Sequence, residues 1–131
     1  MKRVTVFILF IAIFSGASLA MAADGDIRTC ALTKGLECVP DEGCSDWTIQ
    51  EMGLPRFVRI DLNAKTITSL DKEVTRNSKI ASVERPEGLV VLHGTEQRGW
   101  SMTLGVDSGA LTLTAAGDNE GFIVFGSCIN P

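Results

Sequence analysis

Residues 88–128 read GLVVLHGTEQRGWSMTLGVDSGALTLTAAGDNEGFIVFGSC, and this stretch decides the fold class. Residues 89–92 are continuously apolar, and in residues 100–106 apolar side chains alternate with Ser, Thr and Gly. The alternation resumes in residues 110–114, after the link Asp107–Ser108–Gly109. A period of two is typical of a β-strand that has one face on a core and the other in water. The stretch therefore predicts consecutive antiparallel strands joined by short turns.

A second strand pair is predicted upstream. Val58, Ile60 and Leu62 alternate with polar residues, residues 63–65 form a turn, and residues 66–70 return as a β-branched strand. We expect residues 27–33 to form a first strand, and residues 78–84 to form a weakly alternating one. Two segments are expected outside the sheet. Residues 35–47 predict an ordered loop, because Gly, Pro and acidic residues are frequent there. Residues 48–52 predict one helical turn, which Gly53 and Pro55 end.

These segments give seven or eight short strands at a spacing near ten residues, with no long helical pattern. The pattern indicates an all-β fold, and we expect a small antiparallel β-barrel, with a β-sandwich as the alternative. A barrel has the advantage that it leaves no strand edge free. The residues predicted to form the core are Val58, Ile60, Trp100, Met102, Leu104, Leu111, Leu113 and Val124.

Four cysteines predict two disulfides in an exported chain, and three pairings are possible. We favour Cys38–Cys44, which closes a small loop, and Cys30–Cys128, which joins the two ends of the domain. The competing interpretation is a zinc site with four cysteine ligands. Structural zinc sites usually bring two ligands close together in sequence, as in C-x-x-C, and this chain has no such spacing.

The N-terminal residues predict an export signal. Lys2 and Arg3 precede an apolar run over residues 4–14, and Ala20–Met21–Ala22 fits the small-residue pattern of a signal peptidase site. The run is short for a membrane anchor. We therefore expect residues 1–22 to be a cleaved signal peptide and residues 23–131 to be a single, monomeric β domain in the periplasm or outside the cell. We expect the protein to contact the membrane only through the signal peptide that is cleaved.

Charge narrows the choice of partners. The whole chain has a net charge of −4, and loss of Lys2 and Arg3 brings the mature chain to −6. Because an acidic surface repels phosphate backbones, nucleic acid is a poor partner. A cationic protein or peptide would be attracted, although moderate acidity also serves ordinary solubility.

No catalytic, metal or cofactor motif is present in the sequence. His93 is the only histidine, and no Gly-x-Ser-x-Gly nucleophile motif accompanies it. We therefore expect an ordinary role at a strand end. Acidic clusters at residues 41–46 and 118–120 lie in Gly-containing segments, where carboxylates are usually solvated. A calcium loop with regularly spaced ligands is absent. Trp100 is assigned to the core, whereas Trp47 is a candidate binding anchor.

Three closing motifs carry a resemblance to known proteins. They are Trp100-x-Met102-x-Leu104, Asp107-Ser108-Gly109-x-Leu111-x-Leu113 and Phe122-x-Val124-Phe125-Gly126-x-Cys128. With the export signal and four cysteines, they resemble small exported proteins of Gram-negative bacteria to which no activity is assigned. A weaker resemblance, in Ser108–Gly109 and Cys128, is to the periplasmic inhibitors of c-type lysozymes, which are small eight-stranded barrels. That family is rich in tyrosine and this chain has none, so no inhibitory residue is carried over.

The sequence therefore favours a non-enzymatic exported binding module that binds, or inhibits, a cationic protein at the cell envelope. The alternatives are a hydrolytic enzyme that uses loop carboxylates and a barrel that binds a small ligand. No cofactor, metal or catalytic residue is assigned. Loops at residues 40–47, 94–99 and 117–121 are the expected contact surfaces, since recognition residues are often found on loops. The candidate binding residues are Asp41, Glu42, Asp46, Trp47, Glu96, Arg98, Asp118 and Glu120.

Overall fold

The computed structural model describes residues 26–129, and every regular element in this range is a β-strand. The predicted signal peptide, residues 1–22, lies outside the described residues, so its cleavage stays a prediction. The strands are β1 (Ile27–Val39), β2 (Gly43–Trp47), β3 (Phe57–Asp61), β4 (Thr66–Ser69), β5 (Asn77–Lys79), β6 (Ser82–Glu84), β7 (Leu89–Gly94), β8 (Gly99–Gly105), β9 (Ala110–Gly117) and β10 (Glu120–Ile129).

Nine strands form one curled antiparallel half-barrel in the order β5-β4-β3-β1-β10-β9-β8-β7-β6. Strand β2 is outside this order and pairs with the second half of β1. The prediction of an all-β, antiparallel, barrel-type fold is confirmed, and the sandwich alternative is wrong because all the strands belong to one sheet. The predicted hairpins over residues 56–70 and 99–114 are also confirmed.

The two edges of the sheet meet at one segment of the chain. Edge strands β5 and β6 are consecutive, with only Ile80 and Ala81 between them. The Ile80 N–H donates to the Lys65 carbonyl beside β4, and the Ala81 N–H donates to the His93 carbonyl on β7. Residues 77–84 therefore link both edges, with the Ile80 side chain buried between them.

The prediction of a loop at residues 35–47 is wrong. Strand β1 continues to Val39 and pairs with β10 on one side and β2 on the other. Glycine, proline and acidic residues indicate a loop only where the segment has no neighbouring strand with which its backbone can pair. Here two neighbouring strands satisfy the β1 backbone. A tight turn at residues 40–42 joins the strands, with positive φ at Asp41 and Gly43.

Most of the predicted core is confirmed. Buried side chains from β1, β3, β7, β8, β9 and β10 meet inside the curled sheet, and six of the eight predicted core residues are buried. They are Val58, Ile60, Met102, Leu104, Leu111 and Val124. Trp100 and Leu113 are only partly buried and pack against this cluster, because both line a cavity described below.

Both favoured disulfides are present, Cys30–Cys128 and Cys38–Cys44. Each joins residues directly opposite one another on adjacent antiparallel strands. Cys30–Cys128 connects the first and last strands in the core, and Cys38–Cys44 lies next to the turn at residues 40–42. Disulfides in a small β domain are compatible with an extracellular location.

Candidate functional site

Four turns lie at one end of the half-barrel because of the strand order. Strands β4, β7 and β9 each stand an even number of places from β1 in the antiparallel sheet, so all four strands run in the same direction. The turns that follow them are residues 40–42, 70–76, 95–98 and 118–119. We call this the loop end, and define it as residues 34–57, 70–77, 94–99 and 117–121.

All eight candidate binding residues lie at the loop end. The β1–β2 hairpin provides Asp41, Glu42, Asp46 and Trp47, the β7–β8 turn provides Glu96 and Arg98, and the β9–β10 turn provides Asp118 and Glu120. Strand register brings these three loops side by side, since Cys38 is opposite Gly121 and Gly99 is opposite Ala116. The sequence did not identify two further parts of this end, residues 48–55 and the turn at residues 70–76. Their composition gave no signal of where they would lie in the fold.

The excess of negative charge is confined to the loop end. Its acidic residues are Glu37, Asp41, Glu42, Asp46, Glu51, Asp71, Glu73, Glu96, Asp118 and Glu120. Its basic residues are Lys34, Arg56, Lys72, Arg76 and Arg98. That is ten acidic against five basic residues, whereas the remaining described residues contain five of each. The distribution of charge over the domain is therefore asymmetric.

Two of the candidate carboxylates are already paired within the domain. Asp46 Oδ1 lies 3.3 Å from Lys34 Nζ on the hairpin. Glu120 accepts a hydrogen bond from Arg98, whose guanidinium also stacks on Phe122, 4.6 Å from the ring centroid. Four others are exposed and form no ion pair with any residue in the range 26–129: Asp41, Glu42, Glu96 and Asp118.

Residues 48–55 fold back over the mouth of the half-barrel, and we call this segment the plug. Its residues 48–52 form one helical turn, as predicted, in which the Met52 N–H donates to the Thr48 carbonyl at 3.1 Å. The Thr48 N–H and hydroxyl both donate to the Glu51 carboxylate at 2.8 Å, and the Glu51 N–H donates to Thr48 Oγ1 at 3.1 Å. This reciprocal capping box holds the first turn. The hydrogen bonds from the Thr48 backbone and then its side chain lower the pKa of Glu51. Gly53, at φ 65°, ends the turn.

The plug packs by apolar side chains. Ile49 is buried, and Met52 lies over Gly35, where an added Cβ would come within 2.6 Å of the Met52 Sδ and Cε atoms. Glycine at position 35 thus lets the plug approach the β1 backbone closely. Leu54 also packs against the core cluster.

A cavity of about 160 Å³ lies between the plug and the strands at the loop end. Its lining is apolar below and polar at the rim. The lining residues are Leu32, Met52, Leu54, Pro55, Val58, Ile67, Ser69, Arg76, Ser78, Glu96, Gln97, Arg98, Trp100, Met102, Leu113, Ala115, Phe122 and Val124. The cavity is therefore an apolar space whose polar lining comes from one candidate binding loop, residues 94–99, and from the β4–β5 region, which contributes Ser69, Arg76 and Ser78.

Strand register arranges one wall of this cavity. Gly94, Trp100, Ala115 and Phe122 are opposite one another on β7, β8, β9 and β10. The Trp100 indole covers Gly94, where a Cβ would overlap the ring. Ala115 separates the two aromatic residues. Gly94 thus leaves room for the indole ring, and Ala115 leaves space beside the ring.

Trp47 lies at a separate groove on the edge of β1. This groove, of about 620 Å³, occupies the notch where β1 changes partner from β3 to β2. Phe57, which is 48% exposed, lines the groove together with Trp47 and Lys34. Trp47 is half-buried there, at the base of the acidic hairpin.

His93 lies apart from these features. It is opposite Ser82 and Ser101 on the neighbouring strands, and its Nε2 is 3.7 Å from Glu84 Oε1. Among the described residues, no hydrogen bond joins the imidazole to either hydroxyl. None of these four residues lines the cavity or the groove described above. The arrangement contains the side-chain types of a Ser-His-Glu triad without its hydrogen bonds.

Within residues 26–129, no group of three or more His, Cys, Asp and Glu side chains is placed to hold a metal ion. The part of the chain that the structure describes also contains no helix with the length and apolar character needed to span a bilayer.

Comparisons of this chain with protein-family models, with curated proteins and with solved structures found no match.

Proposed function

We propose that this protein is an exported, non-enzymatic binding module whose loop end binds a cationic protein or peptide in the periplasm or at the cell surface. The observation that carries the proposal is the distribution of charge. The described residues have five more acidic than basic side chains, and the whole excess lies at the loop end. If the negative charge served solubility alone, it would not need to be concentrated at one end of the domain.

The scaffold suits this role. A Cys38–Cys44 bridge holds the most acidic hairpin, and an Arg98–Glu120 ion pair joins the turns at residues 95–98 and 118–119. Loops held in this way lose little conformational entropy when they bind a partner. The exposed carboxylates of Asp41, Glu42, Glu96 and Asp118 are available to basic side chains of that partner.

The direct test is binding of the purified mature domain to a panel of cationic envelope-active proteins and peptides, at low and high salt. Electrostatic attraction accelerates association and weakens as the Debye length falls to about 10 Å at 0.1 M salt. We expect binding at low salt that weakens as salt rises. No binding to any cationic protein at low salt would contradict the proposal.

A matched pair of variants tests the position of the site. Glu42→Gln with Asp118→Asn removes two exposed charges from the loop end, and Glu87→Gln with Asp107→Asn removes the same two residue types from the opposite end. We expect the first variant to slow association several-fold and the second to leave it nearly unchanged. Equal effects would mean that net charge matters and the loop end does not.

The cavity favours a second candidate function, a barrel that binds a small apolar ligand. Apolar cavities with a few polar groups at the rim are the usual form of small-molecule sites.

The hydrolytic alternative is tested separately. Hydrolysis of a peptide, ester or glycan substrate that is lost on changing His93 or one loop carboxylate would move the assignment to an enzyme.

A further inference from the structure

We propose that the cavity under the loop end is an anchor site for one uncharged apolar side chain, aromatic or large aliphatic, of the cationic partner. The partner class would then be an amphipathic cationic polypeptide, with basic residues on both sides of an apolar one. This inference rests on the proposed function. It adds which part of the partner would be buried in the domain, namely one apolar side chain.

The size of the cavity fits one such side chain. Its volume is about 160 Å³, and an apolar cavity of about 150 Å³ in another protein stays dry and binds benzene. Protein interiors are otherwise close-packed, and voids larger than a water molecule are few. The floor consists of Met102, Leu113 and Val124, which offer no hydrogen bond to a polar occupant.

Specific residues keep this space open. A larger residue at position 115 would extend into it between Trp100 and Phe122, and a side chain at position 94 would displace Trp100. On the opposite side the plug contributes Met52, whose unbranched thioether side chain adapts to irregular shapes.

Charge around the mouth decides between occupants. The charged lining residues are Arg76, Glu96 and Arg98, and Arg98 is already bonded to Glu120. An anionic ligand would gain Arg76 but would meet Glu96 and an end of the molecule that is rich in carboxylates. A polypeptide with an apolar side chain between basic residues would fit both the apolar cavity and the acidic loop end. Its apolar side chain would enter the cavity, and the basic residues on either side would contact the exposed carboxylates. Interface hot spots have this form, an anchor in a desolvated pocket with a polar rim.

The experiment uses three nine-residue peptides and the mature domain with both disulfides intact. The first peptide has alternating Lys and Ser around a central Phe. The second has Ala in place of Phe, and the third has Glu in place of every Lys. We expect the Phe peptide to bind about tenfold or more tightly than the Ala peptide, as burial of one aromatic side chain predicts. We expect no binding of the acidic peptide.

Two variants on β9 locate the effect. Ala115→Leu places a larger side chain in the cavity, and Ala116→Leu adds the same side chain at the next residue, which is exposed. We expect Ala115→Leu to abolish the advantage of the Phe peptide over the Ala peptide. The Ala116→Leu variant should retain the full advantage.

A spectroscopic readout keeps the test decisive should Ala115→Leu fold poorly. In a Trp47→Phe background, Trp100 is the only tryptophan of the domain, and its emission should change with the Phe peptide but not with the Ala peptide.

The possible failures are distinguishable. Absence of binding by both basic peptides would overturn the proposed function and this inference with it. Equal binding of the Phe and Ala peptides would overturn the anchor site alone, as would a Phe advantage that persists in Ala115→Leu. Tighter binding of the acidic peptide would overturn the choice of partner. Binding of free benzyl alcohol that is lost in Ala115→Leu, with no Phe advantage, would replace the anchor site with a small-molecule site.

Discussion

At the scale of single residues, Gly94 determines where the Trp100 indole lies. The ring covers the glycine directly, and a Cβ at this position would overlap it. We expect Gly94→Ala to destabilise the fold by about 1–3 kcal/mol, the usual range for overpacking. Urea denaturation measures the loss, and a red shift of tryptophan emission in a Trp47→Phe background would report the displaced indole.

Gly99 provides the matched control for this substitution. It lies at the other end of the same turn, and an added Cβ there would meet no atom within 4 Å. We expect Gly99→Ala to change stability by less than about 0.5 kcal/mol. If Gly94→Ala and Gly99→Ala reduced stability equally, the role of Gly94 would be its backbone conformation and not the space that it leaves for the Trp100 indole.

Leu104 tests the assignment of the core face. It is 0% exposed near the end of β8, so Leu104→Ala should reduce the free energy of unfolding by about 2–5 kcal/mol in urea denaturation. Leu89→Ala, on the neighbouring strand and 39% exposed, should cost less than about 1 kcal/mol. A loss below about 1 kcal/mol for Leu104→Ala would mean that the interior of the sheet is packed differently.

At the scale of elements, the plug depends on the ionised carboxylate of Glu51. Its pKa is lowered by the hydrogen bonds from the Thr48 backbone and hydroxyl. A lowered folded-state pKa means that the carboxylate stabilises the plug above the pKa of the unfolded chain. This contribution is lost as the pH falls through the lowered value. Titration of the Glu51 side chain by NMR should therefore give a midpoint below that of an unperturbed glutamate, with the Thr48 amide shift following it.

The control for this titration is Glu51→Gln, which keeps a hydrogen-bond acceptor but removes the charge. In this variant the Thr48 amide shift should no longer follow the acid transition. A midpoint at or above the ordinary glutamate value in the original chain would contradict the capping arrangement.

The two disulfides should differ in their contribution to stability. They span sequence separations of 98 and 6 residues. In the loop-entropy model, loss of Cys30–Cys128 costs roughly 4–5 kcal/mol and loss of Cys38–Cys44 roughly 2 kcal/mol. Denaturation of the two double Cys→Ala variants measures the difference, after peptide mapping without reduction has verified the pairing in the original chain. Equal losses, or recovery of Cys30 linked to Cys38 or Cys44, would contradict this prediction.

At the scale of the whole molecule, the two edges of the half-barrel are its shortest strands. β5 and β6 have three residues each, and each pairs with one neighbouring strand, whereas β1, β8, β9 and β10 are longer and pair on both sides. Amide hydrogen exchange should therefore be fastest in residues 77–84 among the strands and slowest near Met102, Leu113 and Val124. Protection in residues 77–84 as strong as that at the β9–β10 centre would show that both edges open only with global unfolding.

The sequence by itself determined the all-β class and the alternation of β3, β8 and β9, and it favoured the helical turn at residues 48–52 and the disulfide pairing that the structure contains. Each of these follows from local information: a period of two, the stops at Gly53 and Pro55, or the positions of the cysteines along the chain. Residues 35–47 were predicted wrongly, because their strand conformation depends on hydrogen bonds to β10 and β2, which lie outside the local composition.

Only the tertiary structure decided where the candidate residues lie relative to one another. The eight candidate residues were identified from loop composition, but their sequence does not say which ends of strands meet. Antiparallel order brings their loops to one end and gathers there an excess of charge that is spread along the chain in the sequence. The cavity was not foreseen, and Trp100 and Leu113 were assigned to a filled core. Alternation identifies the face of a strand that points inward. Whether the space inside is filled depends on side chains from distant strands and on the plug, whose positions only the folded chain fixes.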